Sequence, residues 1–454
     1  MDNTLQISHI TPLLVAASIV FGPLALRADD ASEIADLKRR LAVLEERQSS
    51  QAAALEKKTD TLADEVERTR LGQSLPEKAD LKSEWGMGPS ASSVYQVKQG
   101  LSLGGYGEAN YRNFVSDQGS RKDQADFYRL VTYIGHRFND AILLNSEIEF
   151  EHGTTGGIGA ESGESEGEVS VEFAYLDFMF QPEFNARAGM ILIPMGFINE
   201  MHEPNTFHGV LRPEVENMII PTTWRENGFG AFGETEAGGK LEYRTYLVNG
   251  LRASRFSSKG IRDSRQRGNR ALFEDVAWTG RVDYSPEVLT GLLVGGSFWL
   301  GDSGQDEEFA GEKPDAFTSI LDAHAQWHFR DFEFRALGAW GEIDDTDVLS
   351  TALEQNISGS FSGWYTEAAY NILPFFDAGE QYLAPFVRFE SYDVQEEAAS
   401  GFTADESLDK RVLTAGLSYR PVPAVVLKLD YRNFMTDGWS KTADEVAFGI
   451  GFAY

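Results

Sequence analysis

The stretch Ala141–His152, AILLNSEIEFEH, alternates almost strictly between apolar and polar side chains. Ile142, Leu144, Ile148 and Phe150 share one face of an extended chain, with Ser146 the exception, and Asn145, Glu147, Glu149 and Glu151 share the other. A period of two marks a β-strand, because successive side chains point to opposite faces. What each face meets is left open by the pattern alone. A soluble strand hides its apolar face in a core and shows its carboxylates to solvent. A closed membrane barrel satisfies the same alternation with lipid outside and water inside.

The remainder of the chain narrows that choice. From about residue 98 to residue 454 alternating segments follow one another, about sixteen in all, each long enough to cross a bilayer as a tilted strand of roughly 9–11 residues. Tight turns (FND, QPE, SPE, RD and PVP) follow the second, fourth, eighth, tenth and fourteenth segments. Longer polar loops such as GTTGGIGAESGESEGE and GDSGQDEEFAGEKPDA follow the odd ones. Short turns on one rim and long loops on the other mark an antiparallel transmembrane barrel, whereas a soluble sandwich has no reason to segregate its loops. The last segment, EVAFGIGFAY, puts Val446, Phe448, Ile450, Phe452 and Tyr454 on one face. Its aromatic end suits a membrane interface and resembles the assembly signal of outer-membrane proteins. The expected fold class is all-β, a 16-stranded antiparallel transmembrane β-barrel over residues 98–454, preceded by an N-terminal α-helical coiled coil.

Composition excludes several functions. With 71 acidic against 40 basic residues the formal charge is −31, the wrong sign for a nucleic-acid partner. Cysteine is absent, which removes disulfides, thiolate metal sites and cysteine nucleophiles. No Ser-His-Asp order is legible, and His202 and His208, with Glu200 and Glu203 nearby, match no helical zinc motif. The glycines of GGYGEANY open a strand and not a helix, so they form no phosphate-binding loop. No enzyme activity, cofactor or metal is expected.

Residues 1–28, with the apolar run PLLVAASIVFGPLAL before RADD, read as an export signal ending at Ala28. Residues 29–72 read as a coiled coil, with Leu37, Leu41, Leu44 and Gln48 in four-three-four spacing. Leu55, Thr59, Leu62 and Val66 repeat that spacing after an eleven-residue step. A solvated single helix satisfies the same charge pairing. Residues 73–97, rich in Gly, Pro and Ser, read as a linker.

The third long connection, 194–225, is exceptional: PMGFINEMHEPNTFHGVLRPEVENMIIPTTWR contains four prolines and several apolar residues. A loop that long and that apolar suits a lid folded against the inner wall, narrowing a barrel otherwise wide enough to be an aqueous hole. Its Glu200, His202, Glu203 and Arg212, with Arg187 and Arg225 at its base, are the candidates for pore constriction and selectivity. Inward parity makes Glu147, Glu149, Lys240, Glu242, Arg244, Arg281, Arg388, Glu390, Lys428 and Arg432 candidates to line a water-filled lumen. The loop after the seventh segment carries Arg252, Arg255, Lys259, Arg262, Arg265, Arg267 and Arg270 against one acid, Asp263. Folded into the mouth, this basic loop attracts anions. Outside, it binds lipopolysaccharide phosphates, and as a third choice it neutralises the acidic loops beside it.

RAGMILIPMGFINEMHEP followed by WRENGFGAFGE, with GWYTEAAYNIL and APFVRFESYD further on, resembles the phosphate-selective porin O and P family over roughly residues 100–454. That resemblance implies a homotrimeric outer-membrane porin for passive diffusion of small hydrophilic solutes or inorganic ions, often anions such as phosphate. The expected surroundings are outer-membrane lipid and lipopolysaccharide outside, with the coiled coil in the periplasm. An envelope tether, with the coil contacting the cell wall, and a barrel enzyme are the alternatives.

Overall fold

The computed structural model describes residues 28–70, 81–115, 121–153, 167–376, 379, 381–436 and 442–454. The chain divides into two units, Met1–Gln73 and Ser74–Tyr454. The first holds helix α1 (Ala28–Arg70), 43 residues long. Leu37, Leu41, Leu44, Leu55 and Leu62 on α1 are 58–68% exposed, so within one chain its apolar stripe is unburied. The expected export signal lies outside the described residues apart from Ala28.

The second unit begins with a short helix, α2 (Ser93–Gln96), and continues as sixteen strands. The first eight are β1 (Gly100–Phe114), β2 (Gln124–Arg137), β3 (Ile142–Glu151), β4 (Val169–Gln181), β5 (Phe184–Leu192), β6 (Arg225–Glu236), β7 (Gly239–Asn249) and β8 (Val276–Pro286). The others are β9 (Leu292–Gly301), β10 (Thr318–Phe329), β11 (Phe332–Ile343), β12 (Ser360–Tyr370), β13 (Tyr382–Asp393), β14 (Lys410–Val422), β15 (Val425–Thr436) and β16 (Glu445–Ala453). Each pairs antiparallel with its neighbours, and β1 closes on β16 with Tyr106 opposite Ala453. Closure leaves no free strand edge, the condition for spanning a membrane with β-structure.

The two faces of the wall are inverted relative to a soluble protein. On β15, Leu429 and Tyr431 are 46% and 41% exposed, while Lys428, Asp430 and Arg432 are 3% or less. Apolar side chains outside and charges inside are what a bilayer-facing barrel requires. Ser146, the exception in the opening stretch, points outward and donates its hydroxyl to the Ile134 carbonyl at 2.8 Å, so this hydroxyl is not left bare on the apolar face. Exposed aromatics gather at two levels. Phe138, Phe180, Phe184, Phe329, Phe375 and Phe376 lie near the short turns, and Phe127, Phe150, Trp278, Trp340 and Trp364 near the long loops, as in the girdles of membrane barrels.

Turns of two residues join β4 to β5, β6 to β7, β10 to β11 and β14 to β15. The connection after β5, residues 193–224, enters the barrel: Ile193, Met195, Val215, Ile219, Ile220 and Trp224 are fully buried. Residues 84–97, read from sequence as linker, also lie inside. Met87 and Val94 are 1% exposed and Ser92 is 0%. Small and polar residues give this stretch no periodic signal, and its burial depends on sockets in the barrel wall.

Candidate functional site

The loop over 193–224 crosses the lumen and is held at every side it meets. Asn199 clasps its base, donating from Nδ2 to the Ile193 and Trp224 carbonyls at 2.7 and 2.9 Å and accepting the Trp224 N–H at 2.6 Å. Trp224 in turn packs on Trp299 of β9, the rings tilted by 39° with centroids 4.3 Å apart. Farther along, Glu216 accepts the Ile198 N–H at 2.6 Å and the Tyr365 hydroxyl of β12 at 2.5 Å, stapling the loop to itself and to the wall. Full burial raises the Glu216 carboxyl above its ordinary range. Across the lumen, Lys428 donates to the Gly209 carbonyl at 2.9 Å, and Asp430 accepts the Val210 N–H at 2.6 Å.

The inward charges thus serve the loop and each other. Arg388 bonds Glu390 at 2.9 Å and Glu367 at 3.2 Å, and Glu390 accepts the Val215 N–H at 3.2 Å. Arg432 pairs with Glu445 at 2.7 Å and with Glu214 of the loop. Glu149 pairs with Arg129 at 3.0 Å, and Arg129 also holds Glu108 at 2.9 Å. The His202 ring lies between the Asn199 carbonyl at 3.0 Å and Glu147 at 3.1 Å. Here the structure differs from the expected water-lined surface. Glu147, Glu149, Arg388, Glu390, Lys428 and Arg432 are all 3% exposed or less, because the loop packs directly onto them. Burying charges in this way is costly unless each is paired and hydrogen-bonded, and the network supplies most of those partners, leaving Glu147 Oε2, Glu149 Oε1 and Arg432 Nε without a hydrogen bond. Lys240 and Glu242 differ from this set. They form an ion pair of 3.2 Å near the short-turn rim, where Lys240 also meets Glu234 at 2.8 Å.

A second cluster lies beneath the loop. Arg244 contacts Asp283 at 2.5 Å and Glu200 at 3.5 Å, and Arg281 bonds Asp283 at 2.7 Å and also the Gly196 carbonyl. Arg187 grips Asp177 with two bonds of 2.8 and 3.0 Å, sandwiched between the Tyr175 and Phe232 rings. Tyr95, from the segment before β1, donates to the same Asp177 at 2.7 Å. Glu203 accepts the N–H groups of Ser90 and Ala91 at 2.8 and 3.2 Å. Burial pushes its carboxyl up to about 7, and burial likewise raises Glu200. Arg225 pairs with Glu172 at 2.7 Å.

The basic loop, 250–275, divides its arginines. Arg252 pairs with Glu307 of the acidic loop after β9. Arg262 donates to the Asn217 carbonyl at 3.1 Å and to that of Thr222, and Arg265 to those of Pro221 and Thr223 at 2.6 and 2.9 Å. These two residues pin the far end of the constriction loop from above. Burial, with Arg212 and Arg267 close by, lowers Arg262 to about 10. Arg255, Lys259, Arg267 and Arg270 stay exposed.

Above the constriction loop, on the long-loop side, lies a cavity of about 570 Å³. Among the described residues, eight basic side chains line it (Arg112, Arg121, Lys122, Arg129, Arg212, Arg262, Lys410 and Arg432) against four acids, Glu108, Asp126, Glu151 and Glu214. Arg212 stands apart there: its Nε and Nη2 have no hydrogen-bond partner. Arg129 was missed by sequence reasoning; it shares the inward face of the DFYRLVTY run with Val131 and Tyr133, whose apolar character hides the parity. Tyr95 and Met87 carried no such signal.

No family model matches the chain. A protein of Aquifex aeolicus (strain VF5), described as uncharacterized, is 38% identical over 359 residues, spanning 76% of this chain and 78% of its own. The chain belongs to the family of that protein. Among solved structures, a Salmonella typhi OmpF complex with daunomycin aligns with a TM-score of 0.52 at 15% identity, over 79% of this chain and 98% of the other. The outer-membrane channel DcaP of Acinetobacter baumannii aligns at 0.49 with 14% identity, over 78% and 97% of the two chains. The likeness to OmpF shows the fold, that of a bacterial outer-membrane porin.

Proposed function

We propose that the protein is an outer-membrane porin that passes small hydrophilic solutes and favours anions. The observation that carries this reading is the cavity above the constriction loop, with its eight bases and four acids in a chain of net charge −31. A local surplus of positive charge between low-dielectric walls concentrates anions and speeds their entry. Arg212 lines this cavity, and a guanidinium there adds positive charge that favours a phosphate or carboxylate. Phosphate itself, as in the porin O and P family, is the specific form of this reading. Single-channel recording in a planar bilayer tests it. Conductance with a reversal potential favouring anions supports the proposal, and a correctly folded barrel with no conductance overturns it.

Three further parts complete the proposal. In the outer membrane, α1 lies in the periplasm and trimerises through its Leu stripe, whose members are more than half exposed in one chain and each gain about 1.5–3 kcal/mol on full burial. The exposed Arg255 and Arg267 suit lipopolysaccharide phosphates at the rim. A tether reading rests on the same α1. Deleting residues 31–70 separates the two, because loss of envelope attachment with permeability intact favours the tether for that segment.

A further inference from the structure

Among the described residues two elements fill the lumen, and they differ in how they are tied. The constriction loop is anchored at both ends in strands, β5 and β6. The segment before β1 is anchored in the sheet at one end only and contributes no strand to the barrel, which closes through β1 and β16 without it. We infer that residues 84–96 are a retractable plug, seated in the short-turn end of the barrel and withdrawn when solutes pass. This inference rests on the channel reading above.

The fit of the segment is close. A side chain added at Gly86, where φ is +81°, would place its Cβ 1.7 Å from the Arg244 guanidinium, and one at Gly88 would meet the Glu203 carboxylate at 2.5 Å. Backbone groups of the plug are taken up by the lumen. Glu203 accepts the N–H groups of Ser90 and Ala91, and Asn145 of β3 donates to the Ala91 carbonyl at 3.0 Å. At the end nearer the sheet, Tyr95 reaches Asp177 at 2.7 Å, and Arg187 donates to its hydroxyl at 3.0 Å.

The chemistry of these sockets is what makes withdrawal feasible. A permanent core contact is apolar, and exposing it to water is costly. The principal sockets here are a carboxylate, a side-chain amide and an Arg–Asp pair, all of which water solvates well. The Arg187–Asp177 pair has its own two bonds and stays intact when Tyr95 leaves. Against release stand Trp85, which meets Phe232 edge to face at 5.3 Å, and Met87, Ala91, Val94 and Tyr95, which join the buried core. The plug is thus specific in its fit, with polar sockets that water solvates on withdrawal and a set of apolar contacts that keeps it seated at rest.

The chain has no cysteine, so one introduced pair gives one disulfide. Ser93 of α2 and Ser102 of β1 have their hydroxyl oxygens 2.8 Å apart, and Ser93→Cys with Ser102→Cys locks the plug in place under oxidation. In planar bilayers the oxidised variant should lose conductance relative to wild type, and reduction should restore it. Deleting residues 84–92 should raise conductance above wild type. Equal conductance in oxidised and reduced forms, in a protein that conducts, overturns the plug and leaves the channel reading standing. Absence of conductance from wild type, reduced variant and deletion alike overturns the channel reading itself, and the plug with it.

Discussion

Glu203→Gln is the substitution whose effect is most fully determined by the structure. The Glu203 side chain is 0% exposed, one oxygen accepts both plug N–H groups, and the other has no partner. Among the described residues the titratable groups facing it are His202 of the same loop and Tyr133 of β2. Burial pushes its carboxyl up to about 7, above the roughly 4.3 of a hydrated glutamate. Withdrawal of the plug admits water and returns the group toward that lower value. A group whose value is raised in the closed state stabilises that state fully below the hydrated value, and the contribution is lost as pH rises through the closed-state value. The window is therefore about pH 4.5 to 7, and about 3 kcal/mol of closure, a few hundredfold in the equilibrium, disappears across it. Gln copies the protonated form: its carbonyl accepts the same two N–H groups, and it carries no charge. Hydrogen exchange at the Ser90 and Ala91 amides, corrected for intrinsic rate, reports closure directly. Wild-type protection should fall between pH 5 and pH 8, while Glu203→Gln should stay protected and flat. Identical pH profiles for the two proteins, or stronger wild-type protection at high pH, would refute the reasoning.

Other expectations follow from the loop and the cavity. Arg212→Gln removes a cation with two unpartnered nitrogens from the cavity wall. One charge a few ångströms away in a hydrated space is worth about 0.5–1 kcal/mol, so anion preference should fall two- to fivefold in reversal-potential measurements, with unfolding unchanged. Arg265→Ala strands the Pro221 and Thr223 carbonyls and should cost about 3 kcal/mol of stability, read by denaturant unfolding in detergent. Trp224→Ala empties a fully buried site against Trp299 and should cost about 3–5 kcal/mol in the same assay, with earlier proteolysis of the constriction loop.

The barrel was legible because its rules are local. Alternation set the strands, and unequal connections set the two rims. AILLNSEIEFEH shows both what the pattern reveals and where it stops. Ile142, Leu144, Ile148 and Phe150 do face out and Glu147 and Glu149 do face in, yet Glu147 meets His202 of the loop and Glu149 meets Arg129 of β2, not water. Which partner a buried charge finds across the lumen depends on pairings far apart in sequence, such as His202 with Glu147. Alternation also misleads where a strand bulges. Between Glu147 and Ile148 the pairing to β4 skips Glu172, passing from Phe173 to Val171, so Glu172 and Phe173 are both buried inside. One extra residue flips every side chain beyond it to the other face. The plug was the least legible part. Its glycines and serines read as a flexible linker, and only the sockets formed by Asn145, Asp177 and Glu203 make it an interior element.

The central claim is that this barrel conducts and that its basic cavity sets the ion preference. Single-channel recording of the wild-type protein under a salt gradient measures both at once. Discrete conductance steps with a reversal potential on the anion side are expected. Absence of steps from folded barrels, or a reversal potential on the cation side, would contradict the claim.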